Sequence, residues 1–533
     1  MVHQSILYSN HIVLINSNEL KLYRVAGIKQ SNKDKLMETI KTKNILRIIK
    51  PVKSVVLGIA ASVLVFSCNL KETNINPNVP SDASVNTLLP GAQLSLSFAQ
   101  GSQLGPYVSI YDQHFAGNID FASTVQNYTV ANSYFNDYWS ALYPGTLYNL
   151  KIIINKSKAS GLPYYSGISR ILFVVGIGTA TDVFGDIPYS DALKINTSPL
   201  PKYDRQQDIY TNIQIQLDSA IQELSKPKTA NLGGIIPSSD DVIFKGDVSK
   251  WIAAAWTLKA RYALHLSKID KTDAATKALA YAAKGISSNA GDLAVTYTTA
   301  PTTSNPIFQY GSYRPNWIVS GKAIVNLLNG NEATDPGNKT VSLIDPRRAY
   351  LINPAGGKYV GLPTQGVIAF STPGSFVASR TSQVIFTSFV ENKLIEAEAR
   401  LILSDGGAQL ALQDAVRASF NKIVSDPADT NATEIKRTAY INAKAVLTGD
   451  YDKDLKTIIT QKYISLYSQP ESWVDYRRTG YPQLSLLSDG DHASNPGGGI
   501  PRRLPYPQNE EVLNSNIPTK TSNHQVPLLW WDK

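Results

Sequence analysis

Long stretches of this chain place apolar residues three and four positions apart, which is the spacing of an amphipathic helix. In one stretch Ile209, Ile213 and Leu217 share a face, and Asp204 with Gln207 resembles a capping box at its start. The same spacing predicts further helices that start near Ser81 and Asp82, span 131–158 and 166–184, start at Asp247 and at Thr272, and span 386–404, 408–424, 432–446 and 452–467. The sequence therefore predicts a mostly α fold.

Short breaks between these helices, such as Gly406-Gly407, are typical of helical pairs. We predict a tetratricopeptide-like scaffold of helical pairs, without a number of repeats because the consensus of that repeat is absent. Two other regions, 290–385 and 468–533, are rich in Gly, Pro and loops and contain short β-like runs. Long irregular segments on a rigid frame often carry binding sites. The predicted domain therefore spans 81–533, with a scaffold of 81–290 and 386–467 and an irregular ligand-side region of 290–385 plus 468–533.

The N-terminal part of the chain has the order of a secretory signal. Lysines and arginines around 41–53 precede an uncharged apolar run at 55–66, which ends at Ser67 and Cys68. This run is shorter than the ~20 residues that a membrane-spanning helix needs. We predict a signal peptide over 1–67, with Met37 as the true translation start, and a tether over 68–80.

Cysteine usage and charge exclude several classes of function. Cys68 is the only cysteine, so no intramolecular disulfide or multi-cysteine metal site is possible. The formal net charge is +9, but residues 1–53 hold ten Lys/Arg against three Asp/Glu, so the remainder is nearly neutral. A nearly neutral body argues against a nucleic-acid partner.

Catalytic signatures are absent from the sequence. The six histidines show no H-x-x-x-H spacing, and neither a G-x-S-x-G run nor a phosphate-binding loop occurs. Glu396 and Glu398 lie two positions apart, so on a helix they point in different directions and do not form a glycosidase pair. The acids at 450, 452 and 454 lack the glycine of a calcium loop and are interpreted as helix-start residues. Arg477-Arg478, flanked by tyrosines, is interpreted as a packed structural element. The sequence predicts no cofactor and no metal site.

Aromatic residues in the irregular middle are the predicted ligand site. The cluster combines rings with a cation and an amide, in a spacing that fits neither a helix nor a strand, and consists of Phe308, Tyr310, Tyr313, Arg314, Asn316 and Trp317. Trp and Tyr rings lie flat against the apolar faces of sugars, while Asn and Arg bond their hydroxyls. A second candidate set is Tyr128, Tyr134 and Trp139. The alternative is that both sets fill gaps between the loops and the helices.

Residues 64–68, Leu-Val-Phe-Ser-Cys, resemble a bacterial lipobox. In such signals the cysteine becomes the lipidated first residue of the mature protein, which implies lipidation of Cys68. Lys71-Glu72, just behind it, resembles the surface-export signal of Bacteroidetes lipoproteins.

Several stretches, in order from Cys68 to the C-terminus, resemble the SusD/RagB family of nutrient-binding outer-membrane lipoproteins. They are 74–78 (NINPN), 181–190 (TDVFGDIPYS), Tyr203-Asp204 with Ile209-Tyr210, Gly246-Asp247 with Lys250-Trp251, 345–347 (DPR), 473–482 (WVDYRRTGYP), 501–507 (PRRLPYP) and 530–532 (WWD). The resemblance implies tetratricopeptide-like helices with an irregular second part. It also implies a surface-exposed, lipid-anchored outer-membrane protein that binds oligosaccharides or peptides. The missing catalytic signatures predict that the chain is not an enzyme. The implied partner is a SusC-like TonB-dependent barrel.

Two alternatives remain open at this point. The chain is a lipid-anchored helical-repeat scaffold that binds only proteins, or, with less support from the sequence, a surface glycan hydrolase.

Overall fold

The computed structural model describes 83–194, 200–334, 343–363, 369–486, 493–518, 524–525 and 527–533, together with the backbone of three strands before residue 25. The chain divides into two units, Met1–Asp82 and Ala83–Lys533. The first unit contains an antiparallel sheet of β1 (Ser5–Tyr8), β2 (His11–Asn16) and β3 (Glu19–Arg24). The predicted signal run, the start at Met37, Cys68 and the 68–80 tether lie outside the described residues.

The second unit is mostly helical, as predicted. Its first nine helices are α1 Val85–Phe98, α2 Gly105–Tyr111, α3 Asp120–Gln126, α4 Asn136–Ser140, α5 Tyr148–Ala159, α6 Pro163–Phe184, α7 Gln206–Leu224, α8 Val248–Leu264 and α9 Lys271–Ala282. The later helices are α10 Pro306–Tyr313, α11 Lys322–Leu328, α12 Arg348–Leu351, α13 Ser375–Ala378, α14 Phe389–Ile402, α15 Ala408–Ile423, α16 Glu434–Lys444, α17 Tyr451–Ser465, α18 Pro470–Thr479 and α19 Gln508–Leu513.

The strands of the second unit are short and pair only two at a time within the described residues. They are β4 Phe115–Gly117, β5 Ile187–Pro188, β6 Tyr203–Asp204, β7 Leu293–Val295, β8 Ile318–Ser320, β9 Ile352–Asn353, β10 Thr372–Pro373 and β11 Val384–Thr387. Each pair is antiparallel: β4 with β8, β5 with β6, β7 with β11, and β9 with β10. The pairs β4–β8 and β7–β11 join segments that are distant in the sequence, and the first of them builds the candidate site.

Consecutive helices pack on each other through most of the second unit. The chain of contacts runs from α5 through α6, α7, α8 and α9, continues to α14, and includes the pairs α14–α15 and α14–α17. The four helices predicted between 386 and 467 are observed as α14 to α17, with ends shifted by at most three residues. This arrangement confirms the predicted scaffold of helical pairs.

Helix α6 forms the centre of the fold. All residues from Tyr164 to Phe184 are buried, which fits the nearly uninterrupted apolar run. Among the described residues, this helix is the one long and apolar enough to cross a membrane, but it is buried throughout inside the protein. Uniform apolarity therefore marks it as a core helix.

The N-caps of two predicted helices differ from expectation. Asp247 caps α8 as predicted, accepting hydrogen bonds from the backbone N–H groups of Ser249 and Lys250. Asp204 instead lies in β6, where its carboxylate accepts the N–H groups of Tyr189 and Ser190, and α7 begins at Gln206. The predicted start at Thr272 was also wrong, because Asp270 caps α9 through the N–H of Asp273. Ser81 and Asp82 lie outside the described residues.

Buried ion pairs tie the C-terminal helices to the scaffold. Arg478 pairs with Glu398 of α14, at 2.7 Å between Nη2 and Oε2, and with Asp475 at 2.9 Å. Arg477 lies over the ring of Trp473 at 3.7 Å and donates to the backbone oxygen of Asp182 at 2.8 Å. Both arginines are buried, in agreement with their interpretation as a structural element.

Candidate functional site

Helix α10 carries the first part of the predicted aromatic cluster, and its presence differs from the prediction of irregular structure there. Asn305 caps the helix, because its Oδ1 accepts the N–H groups of Ile307 at 2.7 Å and Phe308 at 3.0 Å. Proline follows at the first helical position, where its fixed φ suits a helix. The Asn-Pro dipeptide is thus a helix-start signal. The prediction missed it because it considered only the spacing of the aromatic residues that follow.

The helix divides the cluster between its faces. Tyr310 and Tyr313 are three positions apart and lie on one side of the helix, whereas Phe308 lies elsewhere on it. Arg314 follows directly after the last helical residue. Phe308 packs under Arg380, whose guanidinium carbon is 4.9 Å from the ring centroid.

A tight turn after α10 brings Trp317 back beside Arg314. Asn316 has a φ of +63°, a left-handed conformation that asparagine tolerates better than most residues. The N–H of Trp317 donates to the backbone oxygen of Arg314 at 3.2 Å. Asn118, from a distant segment, stabilises the turn through two hydrogen bonds. Its backbone N–H donates to the backbone oxygen of Trp317 at 2.8 Å, and its Nδ2 donates to the backbone oxygen of Asn316 at 3.1 Å.

The pairing of β4 with β8 joins this turn to rings from residues 107–134. Phe121 lies 6.2 Å from Trp317, 4.4 Å from Tyr134 and 5.5 Å from Tyr107, measured between ring centroids. Tyr107 also donates from its hydroxyl to the backbone oxygen of Tyr134 at 3.2 Å. Each of these rings is half-buried, as is Tyr310. We call the five rings of Tyr107, Phe121, Tyr134, Tyr310 and Trp317 the aromatic platform.

Arg314 links the two ends of the aromatic platform. Its guanidinium carbon lies 4.8 Å from the ring centroid of Tyr310 and 5.5 Å from that of Trp317. Burial raises the pKa of the Tyr310 phenol to about 12, despite the opposing effect of the Arg314 charge. Burial likewise raises the pKa of Tyr107, and Tyr310 and Asp137 add to that effect. The phenols therefore stay neutral at physiological pH and act as hydrogen-bond donors and acceptors.

The structure brings together Tyr310, Arg314 and Trp317 of the predicted cluster. Tyr313 is 79% exposed at the edge of α10, and Asn316 serves the turn through its backbone. Of the second candidate set, only Tyr134 joins the platform.

Tyr128 and Trp139 are core residues. Tyr128 is fully buried against Tyr111, and Trp139 packs on Tyr143 with 4.5 Å between centroids. The sequence reasoning missed Tyr107 and Phe121, and no local pattern distinguishes these two rings from core aromatics.

Two cavities lie elsewhere in the second unit. One of about 290 Å³ is lined by Lys444, Lys453 and Lys456 of α16 and α17. The other, about 490 Å³, is an open groove beside α14 and α15. In the groove, Lys393 pairs with Glu396 at 2.8 Å and with Asp414 at 3.4 Å, so its charges already neutralise each other.

A Ser–His–Asp cluster occurs in the core but lacks the geometry for catalysis. Ser472 donates directly to Asp112, and Nδ1 of His114 is 3.2 Å from the same carboxylate. Nε2 of His114 is bonded to the backbone oxygen of Tyr463 at 2.9 Å, and all three side chains are buried. No nucleophile is therefore presented to a substrate here. Among the described residues, no group of three or more His, Cys, Asp and Glu is arranged to hold a metal ion.

The glutamates and aspartates considered in the sequence have structural roles. Glu396 and Glu398 point apart, as predicted, with Glu396 bonded to Lys393 and Arg400 near the surface. Asp450 caps α17, and Asp454 accepts the backbone N–H groups of Thr448 and Gly449.

Solved structures with the same fold belong to SusD-type proteins. A SusD/RagB family protein from Bacteroides thetaiotaomicron shares 22% identity, with a TM-score of 0.68 over 85% of this chain and 99% of that chain. A chitin-binding SusD homolog from Flavobacterium johnsoniae shares 24% identity, with a TM-score of 0.67 over 84% of this chain and 98% of that chain. A SusD homolog from Bacteroides uniformis shares 23% identity, with a TM-score of 0.65 over 85% of this chain and all of that chain.

No curated protein matched the chain. The SusD-like family model, described as "Starch-binding associating with outer membrane", matches residues 77–507. Because this match covers most of the sequence and the fold agrees with the solved structures, the chain belongs to the SusD-like family.

Proposed function

We propose that this protein binds a glycan at the cell surface on the aromatic platform and delivers it to a SusC-like TonB-dependent outer-membrane barrel. The observation that carries the proposal is the platform itself, in which half-buried rings from two distant segments pack together and two of them, Tyr310 and Trp317, flank an exposed arginine. The family description supports a carbohydrate ligand and association with the outer membrane, and the Flavobacterium relative is named as chitin-binding.

The platform offers both kinds of contact that a sugar needs. Ring faces accept the apolar C–H faces of pyranoses, and the hydroxyls of Tyr107 and Tyr310 with the guanidinium of Arg314 are positioned to bond sugar hydroxyls. Contacts between the rings hold them in place before ligand arrives, which reduces the entropy lost on binding. Ligand contact by Tyr313 and Asn316 is part of the proposal, because both are exposed beside the platform.

Replacing Trp317 with Ala is expected to weaken glycan binding by about tenfold or more, because truncating a central aromatic anchor typically has an effect of that size. Isothermal titration against an oligosaccharide panel measures this loss. Trp256→Ala is the matched control, since Trp256 is also half-buried but lies on α8 between Lys259 and Lys284. Equal affinity of Trp317→Ala and wild type for every bound glycan contradicts the site.

The proposed anchor is a lipid on Cys68, which lies outside the described residues. A tagged protein extracted from outer membranes in detergent is expected to co-purify a single TonB-dependent barrel in near-equal amount. Cys68→Ala is expected to lose the membrane association, because the acyl chains contribute about 0.8 kcal/mol per buried CH₂. Recovery of a mixture of soluble proteins instead of a barrel favours the alternative of a helical-repeat scaffold.

A surface glycan hydrolase is the less supported alternative. The buried Ser472, His114 and Asp112 offer no accessible nucleophile, and release of sugar from any glycan by the purified protein is the result that would favour this function.

A further inference from the structure

Arg314 differs from the other arginines in its use of hydrogen-bond donors. Every other arginine from residue 83 onward donates at least one side-chain hydrogen bond within the protein. The guanidinium of Arg314 donates none to the described residues and forms no ion pair there. An arginine offers five N–H donors in a planar fork, so the full set is available to a ligand.

Packing holds this free guanidinium in place without consuming its donors. Tyr310 and Trp317 lie within cation–π distance of it, which restrains the side chain while leaving its N–H edge uncovered. The side chain is exposed to solvent, so the fork is accessible.

Two acids close to platform rings, Asp120 and Asp137, form no ion pair with Arg314. Asp120 accepts the backbone N–H of Phe121 at 3.0 Å. Asp137 lies close enough to Tyr107 to raise its pKa, yet neither carboxylate forms an ion pair with Arg314. The cation therefore faces the platform surface without a carboxylate partner from the described part of the chain.

We propose that Arg314 selects glycans that carry a ring carboxylate, that is, oligosaccharides containing uronic acids. This inference rests on the proposed glycan-binding function and names its substrate class. The sugar ring stacks on Trp317, and its carboxylate accepts two parallel N–H bonds from the guanidinium. A planar fork matches a carboxylate better than it matches the scattered hydroxyls of a neutral sugar.

The test compares an oligogalacturonide with its methyl ester of the same length, titrated calorimetrically against the purified protein. Esterification removes the negative charge and leaves the ring face intact. We expect the wild type to bind the acid about tenfold more tightly than the ester, since a hydrogen bond to a charged group exceeds a neutral one by about that factor. We also expect the preference to weaken at high ionic strength.

Arg314→Gln is expected to bring the ratio of the two affinities close to one, and Arg314→Lys to leave an intermediate ratio, because lysine keeps the charge but loses the fork. Arg380→Gln is the matched control: Arg380 also stacks on a ring of α10, that of Phe308, and should keep the wild-type ratio.

Two failures remain distinguishable in this design. Wild-type protein that binds both forms equally, or binds only neutral oligosaccharides such as glucans or chitin fragments, overturns the carboxylate preference and leaves the glycan-binding function standing. Wild-type protein that binds no oligosaccharide of any class overturns both.

Discussion

Replacing Glu398 with Ala is expected to lower the free energy of unfolding by about 3 kcal/mol or more, because it removes one of the two carboxylates that pair with the buried guanidinium of Arg478. Glu398 and Arg478 are both fully buried and bonded through two pairs of atoms. Arg478 then keeps the Ser267 hydroxyl and one carboxylate, that of Asp475, which must also neutralise Lys462 at 2.7 Å. The loss is measured as a shift of the urea midpoint at constant m-value.

Glu396→Ala is the matched control on the same helix. Glu396 pairs with Lys393 at 2.8 Å and Arg400 at 2.9 Å, but these side chains are partly exposed, so the expected cost is below about 1 kcal/mol. The double variant Glu398→Ala/Arg478→Met is expected to be less destabilised than the sum of the two single variants, since it removes the unpaired charge as well. If Glu398→Ala and Glu396→Ala lower the free energy of unfolding by equally small amounts, the buried pair contributes no more to stability than the exposed one.

Glu396 and Glu398 show which features of a side chain the sequence pattern predicts and which it does not. Helical spacing established that Glu396 and Glu398 point apart, and it placed α14 to α17 within three residues of their observed ends. Periodicity works here because each helix has one face in the core and one in solvent. The pattern contains no information on which distant cation Glu398 meets, since Arg478 is 80 positions away.

Helix starts were predicted less well, for a physical reason. Asp204 is followed by a residue pattern that fits a capping box, yet its carboxylate is engaged by the N–H groups of Tyr189 and Ser190 in the preceding loop. A side-chain oxygen accepts hydrogen bonds from the N–H groups that the tertiary fold places nearest to it. Sequence spacing predicts only its bonds to N–H groups that are close in the sequence.

The candidate site was half accessible from sequence. Tyr310, Arg314 and Trp317 lie within eight positions of one another, so their closeness in the sequence and their aromatic and cationic side chains singled them out. Phe121 and Tyr107 join them only through the β4–β8 pair and through Asn118, which bonds a residue 198 positions away. Three-residue strands carry too little alternation to be recognised, so this half of the platform required the structure.

Replacing Asp241 with Ala is expected to be about as damaging as the loss of Glu398, although Asp241 is not in an ion pair within the described residues. Its carboxylate is fully buried between α1 and α8. Oδ1 accepts from Nε2 of Gln93 at 2.8 Å and from the backbone N–H groups of Ile243 and Phe244 at 3.1 and 3.3 Å. Oδ2 accepts from the N–H of Gly246 at 2.9 Å and Nε1 of Trp251 at 2.8 Å.

Five donors would lose their acceptor together, and several lie where water does not reach, so we expect a loss of about 3 kcal/mol or more in the free energy of unfolding. Asp241→Asn is expected to recover only part of it, because an amide has one acceptor oxygen and turns its NH₂ group toward donors. Asp273→Ala is the control, as Asp273 is 53% exposed and its carboxylate pairs with Lys277 at 2.7 Å on the surface of α9.

Trp251→Phe separates the contribution of a single donor from that of the whole set. It keeps most of the buried ring and removes Nε1–H, so alone it should cost about 1 kcal/mol. Combined with Asp241→Ala it should cost less than the sum, because the indole donor is no longer left unsatisfied. If Asp241→Ala and Asp273→Ala unfold at the same urea concentration, the prediction is wrong. Solvent then reaches these donors, and the Asp241 carboxylate does not stabilise the loop of residues 241–246 between α1 and α8.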